Sequence, residues 1–468
     1  MDNFASRANA KTLPITPVAR KDYKRWLGEQ PKSTQNWLKS IEFDPDAGQV
    51  ALIPNRDGGL ARVVLGLGGE TGGAMIWPVA MLPGKLPKGR YEIDVELDPE
   101  AADAAALGWA LATYQFNRYR KKPPEPLPTL VWPAKADRAG VERARNATFL
   151  VRDLINTPAG DLGPAELAEQ AVAVAAEHDA EVQVIVGEDL LEANYPAIYA
   201  VGKGSPREPR LVDVRWGDED APKLTLVGKG VVFDTGGLDI KTSGNMKLMK
   251  KDMGGAAMML GLAQMVMAAG LPVRLRLLLP IVENSVSGES YRPLDVLDTR
   301  KGLTVEVGNT DAEGRLILSD ALYEGDSEQP DLLIDFATLT GAARVALGTD
   351  LPALFSNDDE VAAAILAAGE QVDDPLWRMP LFRGYRRQLD SKVADLNNIS
   401  NSPYGGAISA ALFLQEFVGK QTKWVHVDAM AWNLAAKPGK PLGGEAMGMR
   451  AVFRMLEQRY SSMAPAPG

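Results

Sequence analysis

Asn309-Thr310-Asp311-Ala312-Glu313-Gly314-Arg315, read together with its flanks, decides the fold class of this chain. Before it, Leu303, Val305 and Val307 alternate as strand residues do. After it, Leu316, Ile317, Leu318 and Ala321 recur as the buried side of a helix. The heptapeptide is therefore a loop at a strand's carboxyl end, the place where α/β proteins gather their ligands. It holds two carboxylates, a guanidinium and a glycine, as a metal site would. Asp-x-Glu by itself is more often a solvated acidic turn, so the motif needs a second observation.

That observation lies upstream. Gly228-Lys229-Gly230-Val231-Val232-Phe233-Asp234-Thr235-Gly236-Gly237 is followed by Lys241 and then by Met249-Lys250-Lys251-Asp252-Met253-Gly254-Gly255. Apolar runs, Leu224 to Val227 and Ala256 to Leu260, flank these charges, which puts them at the ends of buried elements, where charged residues are usually functional or paired. Asp234, Asp252, Asp311 and Glu313 would repel one another in a cleft unless cations neutralised them. Two divalent ions about 3.5 to 4 Å apart, sharing a bridging carboxylate, would do so and could activate a nucleophile. For Lys229 two readings stand: an ammonium paired with the carboxylates, which is the commoner case, or a neutral amine that ligates a metal. Lys241 and Arg315 suit stabilisation of developing negative charge or the holding of a small anion.

Composition narrows the chemistry. With no cysteine and only His178 and His426, the chain excludes disulfides, thiolate zinc sites and cysteine nucleophiles, so a metal site must be built mainly from oxygen ligands. At 468 residues there is room for two or more domains. The net charge of -10 disfavours generic binding to nucleic acid or to an anionic membrane. The start, Met1-Asp2-Asn3-Phe4, does not read as a signal sequence, and no run of about eighteen apolar residues occurs; a cytoplasmic enzyme is expected.

Periodicity predicts an α/β protein. The first part shows strands Gln49 to Ile53, Ala61 to Leu67 and Arg90 to Leu97, a helix from Ala101 to about Tyr119, a proline-stiffened segment and a short run from Thr129 to Trp132. A helix from about Asp137 to Ile155 follows. Then come strands Glu181 to Val186, Arg210 to Trp216, Lys223 to Val227, Val273 to Ile281, Asp331 to Phe336 and Lys423 to Val427, with helices Pro164 to Glu177, Gly254 to Ala269 and Gly314 to Tyr323. This alternation predicts a mainly parallel central sheet. Gly228-Lys229-Gly230 is a weak phosphate-loop signal because Val231-Val232-Phe233 is no helix start. His426 reads as a packed strand histidine, and Ser243 and Ser319 lack a neighbouring histidine base.

At these residues the chain resembles the leucyl aminopeptidase (cytosol aminopeptidase) family. Asn309 to Leu316 matches the family's signature octapeptide in full; Lys229, Asp234, Lys241 and Asp252 keep its spacing; Glu283-Asn284, Ser287-Gly288 and Tyr291-Arg292-Pro293 look like its connecting segment. The resemblance implies a small macro-like N-terminal α/β domain, residues 1–136, then a linking helix and a larger catalytic α/β domain, residues 137–468, assembled as a homohexamer. It implies a metal-dependent exopeptidase that removes N-terminal, preferably bulky apolar, residues from peptides by attack of a bridging hydroxide. By position, Lys229, Asp234, Asp252 and Glu313 would hold the tighter ion, and Asp234, Asp311 and Glu313 the more exchangeable one; manganese or zinc is expected, with magnesium or cobalt as alternatives. Lys241 would polarise the scissile carbonyl, and Arg315 would hold a bicarbonate that acts as general base. The Leu339 backbone would help receive substrate, and Met249, Thr338 and Gly341 would line the first side-chain pocket. Departures from the usual pattern are Asp239 for serine, Leu294 for glycine, and Met430-Ala431-Trp432 for a shorter apolar-glycine segment. A two-metal phosphoesterase is disfavoured by the scarcity of histidine, and a DNA-binding role by the net charge.

Overall fold

In the computed structural model, residues 3–69 and 75–461 are described. The chain divides into two compact units: Met1–Phe149 with Ala435–Leu442, and Leu150–Leu434 with Gly443–Gly468.

The first unit is built on a six-stranded sheet ordered Phe4–Ala5, Thr129–Val131, Arg90–Ile93, Leu13–Ala19, Leu60–Gly68, Val50–Pro54. Neighbours are parallel except the last pair. Alternation divides the core between two faces: Ile15, Val63 and Leu65 pack with Trp109 on one, and Val18, Val64 and Leu38 pack on the other. Strand Leu13–Ala19 escaped the sequence reading because Pro14 and Pro17 argue against a strand, yet it lies inside the sheet. The expected helix at Ala101 to Tyr119 runs only over Pro99–Ala112. Asp98 accepts a hydrogen bond from Ala101 N (2.8 Å) to start it, and beyond Ala112 the chain turns so that Tyr114 packs edge-on against Phe149. The returning segment Ala435–Leu442 lays Lys440 over the Trp77 ring at 4.5 Å, and a Cβ on Gly439 would come within 3.1 Å of Ala80 Cβ.

The second unit carries a nine-stranded sheet. Its central strands, Trp424–Asp428, Leu332–Ala337, Lys223–Gly228 and Arg274–Asn284, are parallel, as the βα alternation predicts. Antiparallel partners flank them: Ala353–Ser356 beside Trp424–Asp428, and Arg210–Trp216 then Glu181–Val186 beyond Arg274–Asn284. The strand before the signature loop, Thr304–Glu306, belongs instead to a small three-stranded sheet with Val296–Asp298 and Leu396–Asn397. The loop thus reaches the ends of the main strands from a satellite.

Glycine lets the helix Gly254–Ala269 press its first turn against those strand ends. A Cβ on Gly255 would collide with Phe336 O, and one on Gly228 would sit 2.6 Å from Ala256 Cα. The contact is fixed by backbone bonds from Ala256 N to Lys229 O (2.8 Å) and from Lys229 N to Phe336 O (3.1 Å). With the turn before it, this helix is long and apolar enough to cross a membrane, but its side chains are mostly buried in the unit's core.

Leu294, standing where the resemblance places glycine, has φ +72° and is 73% exposed, so its side chain adds backbone strain and little burial. Leu294→Gly is expected to raise unfolding free energy by about 0.5 to 1 kcal/mol, the left-handed penalty less the entropy that glycine loses on folding. Urea denaturation checks this, and a lower midpoint would refute it.

Candidate metal centre

Three segments deliver the charged residues. Strand Lys223–Gly228 ends at Lys229, and strand Gly230–Asp234 then pairs with the carboxyl end of Arg274–Asn284. After Asp234 the chain reverses through Gly236 and Gly237, at φ +86° and +63°, which brings Lys241 back beside Asp234. Asp252 sits in the single turn Met249–Met253 before helix Gly254–Ala269. Glu313 immediately precedes helix Gly314–Asp326, and a Cβ on Gly314 would press on Lys229, 2.7 Å from its Nζ.

The sequence-predicted charges converge. Lys229 Nζ lies 2.7 Å from Asp252 Oδ2 and 2.9 Å from Glu313 Oε1. Lys241 Nζ lies 2.7 Å from Asp234 Oδ2 and pairs also with Asp311. Oxygens of Asp234, Asp252 and Glu313 all lie within 4.8 Å of one another, and the three residues are buried. Asp311 is the outer member, its side chain 33% exposed. Arg315 is buried beside them and donates from Nη1 to Asn398 O (2.7 Å). Thr338 Oγ1 donates to Asp252 Oδ1 (2.8 Å), and Thr338 O accepts from Lys229 Nζ (3.3 Å). Met249 is buried at the start of Asp252's turn; Leu339 N donates to Asp428 Oδ1 (2.9 Å); Gly341 begins a short helix capped by Thr340.

Burial and crowding govern the protonation of this cluster. Burial pushes the Glu313 carboxyl up to about 7 and the Asp234 carboxyl up to about 6, and neighbouring carboxylates add to both. For Lys229 burial works against the charge, but Asp252, Glu313 and Asp234 outweigh it and hold the ammonium above its ordinary range. Asp252 goes below the ordinary carboxylate range: burial opposes this, and Lys229, Lys251 and Lys241 prevail. Burial lowers Arg315 to about 10.

These residues fit a divalent cation. Hard oxygen donors converge, and Glu313 Oε2 is buried with no hydrogen-bond partner. Arg315 Nε is likewise buried and unpartnered, so the guanidinium has a donor to spare for a small anion.

Three supporting residues had no assigned role in the sequence reading. Asn284 Nδ2 donates to Asp234 Oδ1 (2.8 Å) and to Thr310 O (3.1 Å), orienting the carboxylate. Asn398 Oδ1 accepts from Gly308 N (2.7 Å), and its Nδ2 donates to Asn309 O (2.8 Å), bracing the signature loop from a distant segment. Asp428 caps Leu339 and Thr340. Their signal is three-dimensional; no local spacing marks them. His426 is the packed strand histidine expected, buried with Nδ1 2.6 Å from Asp335 Oδ1 and stacked between Trp424 and Phe355. Burial opposes its charge, but Asp335 holds it above the ordinary histidine value.

Comparison with known proteins gives the following. Residues 149–453 match the model of the cytosol aminopeptidase family catalytic domain, and residues 13–133 that of the M17 aminopeptidase N-terminal domain. Peptidase B of Pectobacterium atrosepticum is 41% identical over 364 residues, covering 75% of this chain and 84% of that protein. A probable cytosol aminopeptidase of Syntrophotalea carbinolica is 41% identical over 376 residues, 77% of this chain and 75% of its own length. Among solved structures, the cytosol aminopeptidase of Coxiella burnetii superposes with a TM-score of 0.93 at 51% identity, covering 98% of this chain and all of that one. The bottromycin maturation enzyme BotP in complex with Mn gives 0.88 at 34% identity, covering 96% of this chain and all of that one.

Protons and metal ions compete for the same oxygens, so metal affinity should fall as pH drops through the raised values of Glu313 and Asp234, about 7 and about 6. Each proton displaced per ion makes the Mn(II) Kd up to about tenfold weaker at pH 6 than at pH 7. Calorimetric titration across that range, in buffers of different ionisation heat, checks both the slope and the proton release; a flat Kd would contradict it.

Proposed function

Because this chain belongs to the cytosol aminopeptidase family, and is thus a metal-dependent aminopeptidase, we propose that it removes bulky apolar residues by preference from the N-termini of peptides at a two-metal centre. The observation that carries the reading is the convergence of four carboxylates and two lysines at the ends of the central strands, with oxygens of three carboxylates within 4.8 Å of one another. Lys229, Asp234, Asp252 and Glu313 would hold one ion, and Asp234, Asp311 and Glu313 the other; Lys229, an ammonium in the metal-free cluster, would ligate only as the neutral amine, its proton displaced by the ion. Bound there, two divalent cations supply Lewis acidity to the scissile carbonyl and a water acidified enough to attack it.

The protein's own residues divide the remaining work. Lys241, kept cationic above its ordinary range by Asp234, Glu313 and Asp252 although burial opposes it, places positive charge where the carbonyl oxygen becomes negative. Arg315, with its buried Nε unpartnered, would hold a small anion, bicarbonate by our reading, which would supply a general base beside the attacking water. The Leu339 backbone receives the substrate, and Met249, Thr338 and Gly341 shape the pocket for its first side chain. Thr338 also fixes Asp252 through a hydroxyl hydrogen bond, so pocket and metal ligand share one support.

Manganese or zinc is the expected metal, and a cytoplasmic homohexamer acting on peptides the expected working form. We further propose that the N-terminal α/β domain comprises residues 1–136, with the linking helix belonging to the catalytic domain.

Chelator-stripped protein resupplied with manganese or zinc is expected to release chromophore from leucine and methionine anilides faster than from alanine or lysine anilides. Folded protein inactive with every metal would overturn the reading. Asp252→Ala is expected to keep the fold by circular dichroism and to lower turnover to below about one hundredth of wild type.

A further inference from the structure

Asp239 belongs to neither the proposed ligands nor the proposed pocket, yet it makes a reciprocal pair of hydrogen bonds between the two loops that present Asp234 and Asp311. Thr310 N donates to Asp239 Oδ2 (2.8 Å), and Asp239 N donates back to Thr310 Oγ1 (2.8 Å). The Thr310 hydroxyl in turn donates to Gly236 O (2.6 Å). Thr310 O accepts from Tyr291 OH (2.6 Å) and from Asn284 Nδ2 (3.1 Å). Thr310 is fully buried and saturated, and Asp311 is the next residue along.

Apolar packing does little to fix the loop that carries Asp239; polar contacts hold it, including a backbone bond from Lys241 N to Thr235 O (2.9 Å) and the ion pairs of Lys241. The loop emerges from two left-handed glycines, and its apolar side chains face water, Leu238 being 41% and Ile240 63% exposed. Hydrophobic packing therefore contributes little there, and of the polar contacts the reciprocal bonds at Asp239 are the ones that tie the loop's outer part to Thr310. Lys241, two residues on, pairs with both Asp234 and Asp311, so displacement of the loop would separate all three.

We propose that Asp239 is a positioning residue that clamps the Asp311 loop to the Asp234 loop through Thr310 and so retains the more exchangeable of the two metal ions. This rests on the two-ion reading above. The tighter ion shares Asp234 and Glu313, but its two further proposed partners, Lys229 and Asp252, are held by Thr338 and make no bond to Asp239 or Thr310, so it depends less on the clamp.

Mn(II) titrated calorimetrically into stripped full-length protein tests it. Wild type should show two binding events. Asp239→Ala should weaken the second by roughly 10- to 100-fold, the usual effect of losing an outer partner of a metal ligand, and weaken the first, whose Lys229 and Asp252 are held elsewhere, by clearly less. Asp239→Asn, whose side-chain oxygen can still accept from Thr310 N, should stay within about threefold of wild type for both. The proposal is overturned if Asp239→Ala leaves both events unchanged or weakens both alike. It is equally overturned if Asp239→Asn matches Asp239→Ala, since charge rather than the clamp would then be responsible. A wild type that binds fewer than two ions would instead remove the two-ion reading, and the clamp with it.

Discussion

Mutual repulsion among Asp234, Asp252, Asp311 and Glu313 is the constraint around which the second unit is built. At about 4 Å and an effective dielectric constant of about 20, one like-charged pair costs about 4 kcal/mol, a large part of a typical domain's net stability. Lys229 and Lys241 answer that repulsion directly, each pairing with two of the four carboxylates. The same crowding makes the site receptive to dications, because burial, with the neighbouring carboxylates adding to it, raises the Glu313 carboxyl to about 7, and the side chain keeps an oxygen that no protein group satisfies. Stability without metal and affinity for metal thus draw on one set of side chains.

Bringing four carboxylates that close requires backbone to approach backbone, and glycine permits it. Gly228 and Gly255 let the first turn of helix Gly254–Ala269 nest on the strand ends, and Gly314 lets Lys229 lie against the start of helix Gly314–Asp326. A methyl group at any of the three would push a proposed ligand out of reach. The apolar helix behind them is buried along most of its length, so the charged turn Met249–Met253 is mounted on a rigid base.

Much of this was legible along the chain, for physical reasons that differ by element. Strands Glu181–Val186 and Arg210–Trp216 and helix Gly254–Ala269 have the bounds that hydrophobic periodicity indicates, alternation marking the first and apolar runs the other two. The charged residues of the site were legible because carboxylates and lysines at the ends of buried runs have few bland explanations. Strand Leu13–Ala19 was not, because its prolines sacrifice ladder bonds that the burial of Ile15 and Val18 offsets. Nor was the satellite sheet under the signature loop, whose third strand, Leu396–Asn397, comes from far downstream. Asn284, Asn398 and Asp428 act through partners remote in sequence, and such partnerships leave no periodic trace.

The return of Ala435–Leu442 to the first unit has a consequence for how the protein is made. That short segment, with Lys440 over Trp77 and Gly439 against Ala80, is encoded after nearly the whole of the second unit. During synthesis the first unit must wait, with the Trp77 face uncovered, until residue 442 has left the ribosome, by which time every strand of the central sheet has been made. The first unit's full set of residues is thus complete only after nearly all of the second has been made, unlike an N-terminal domain drawn from one continuous stretch. The two units mature together, and a nascent chain cut short before that segment leaves both incomplete.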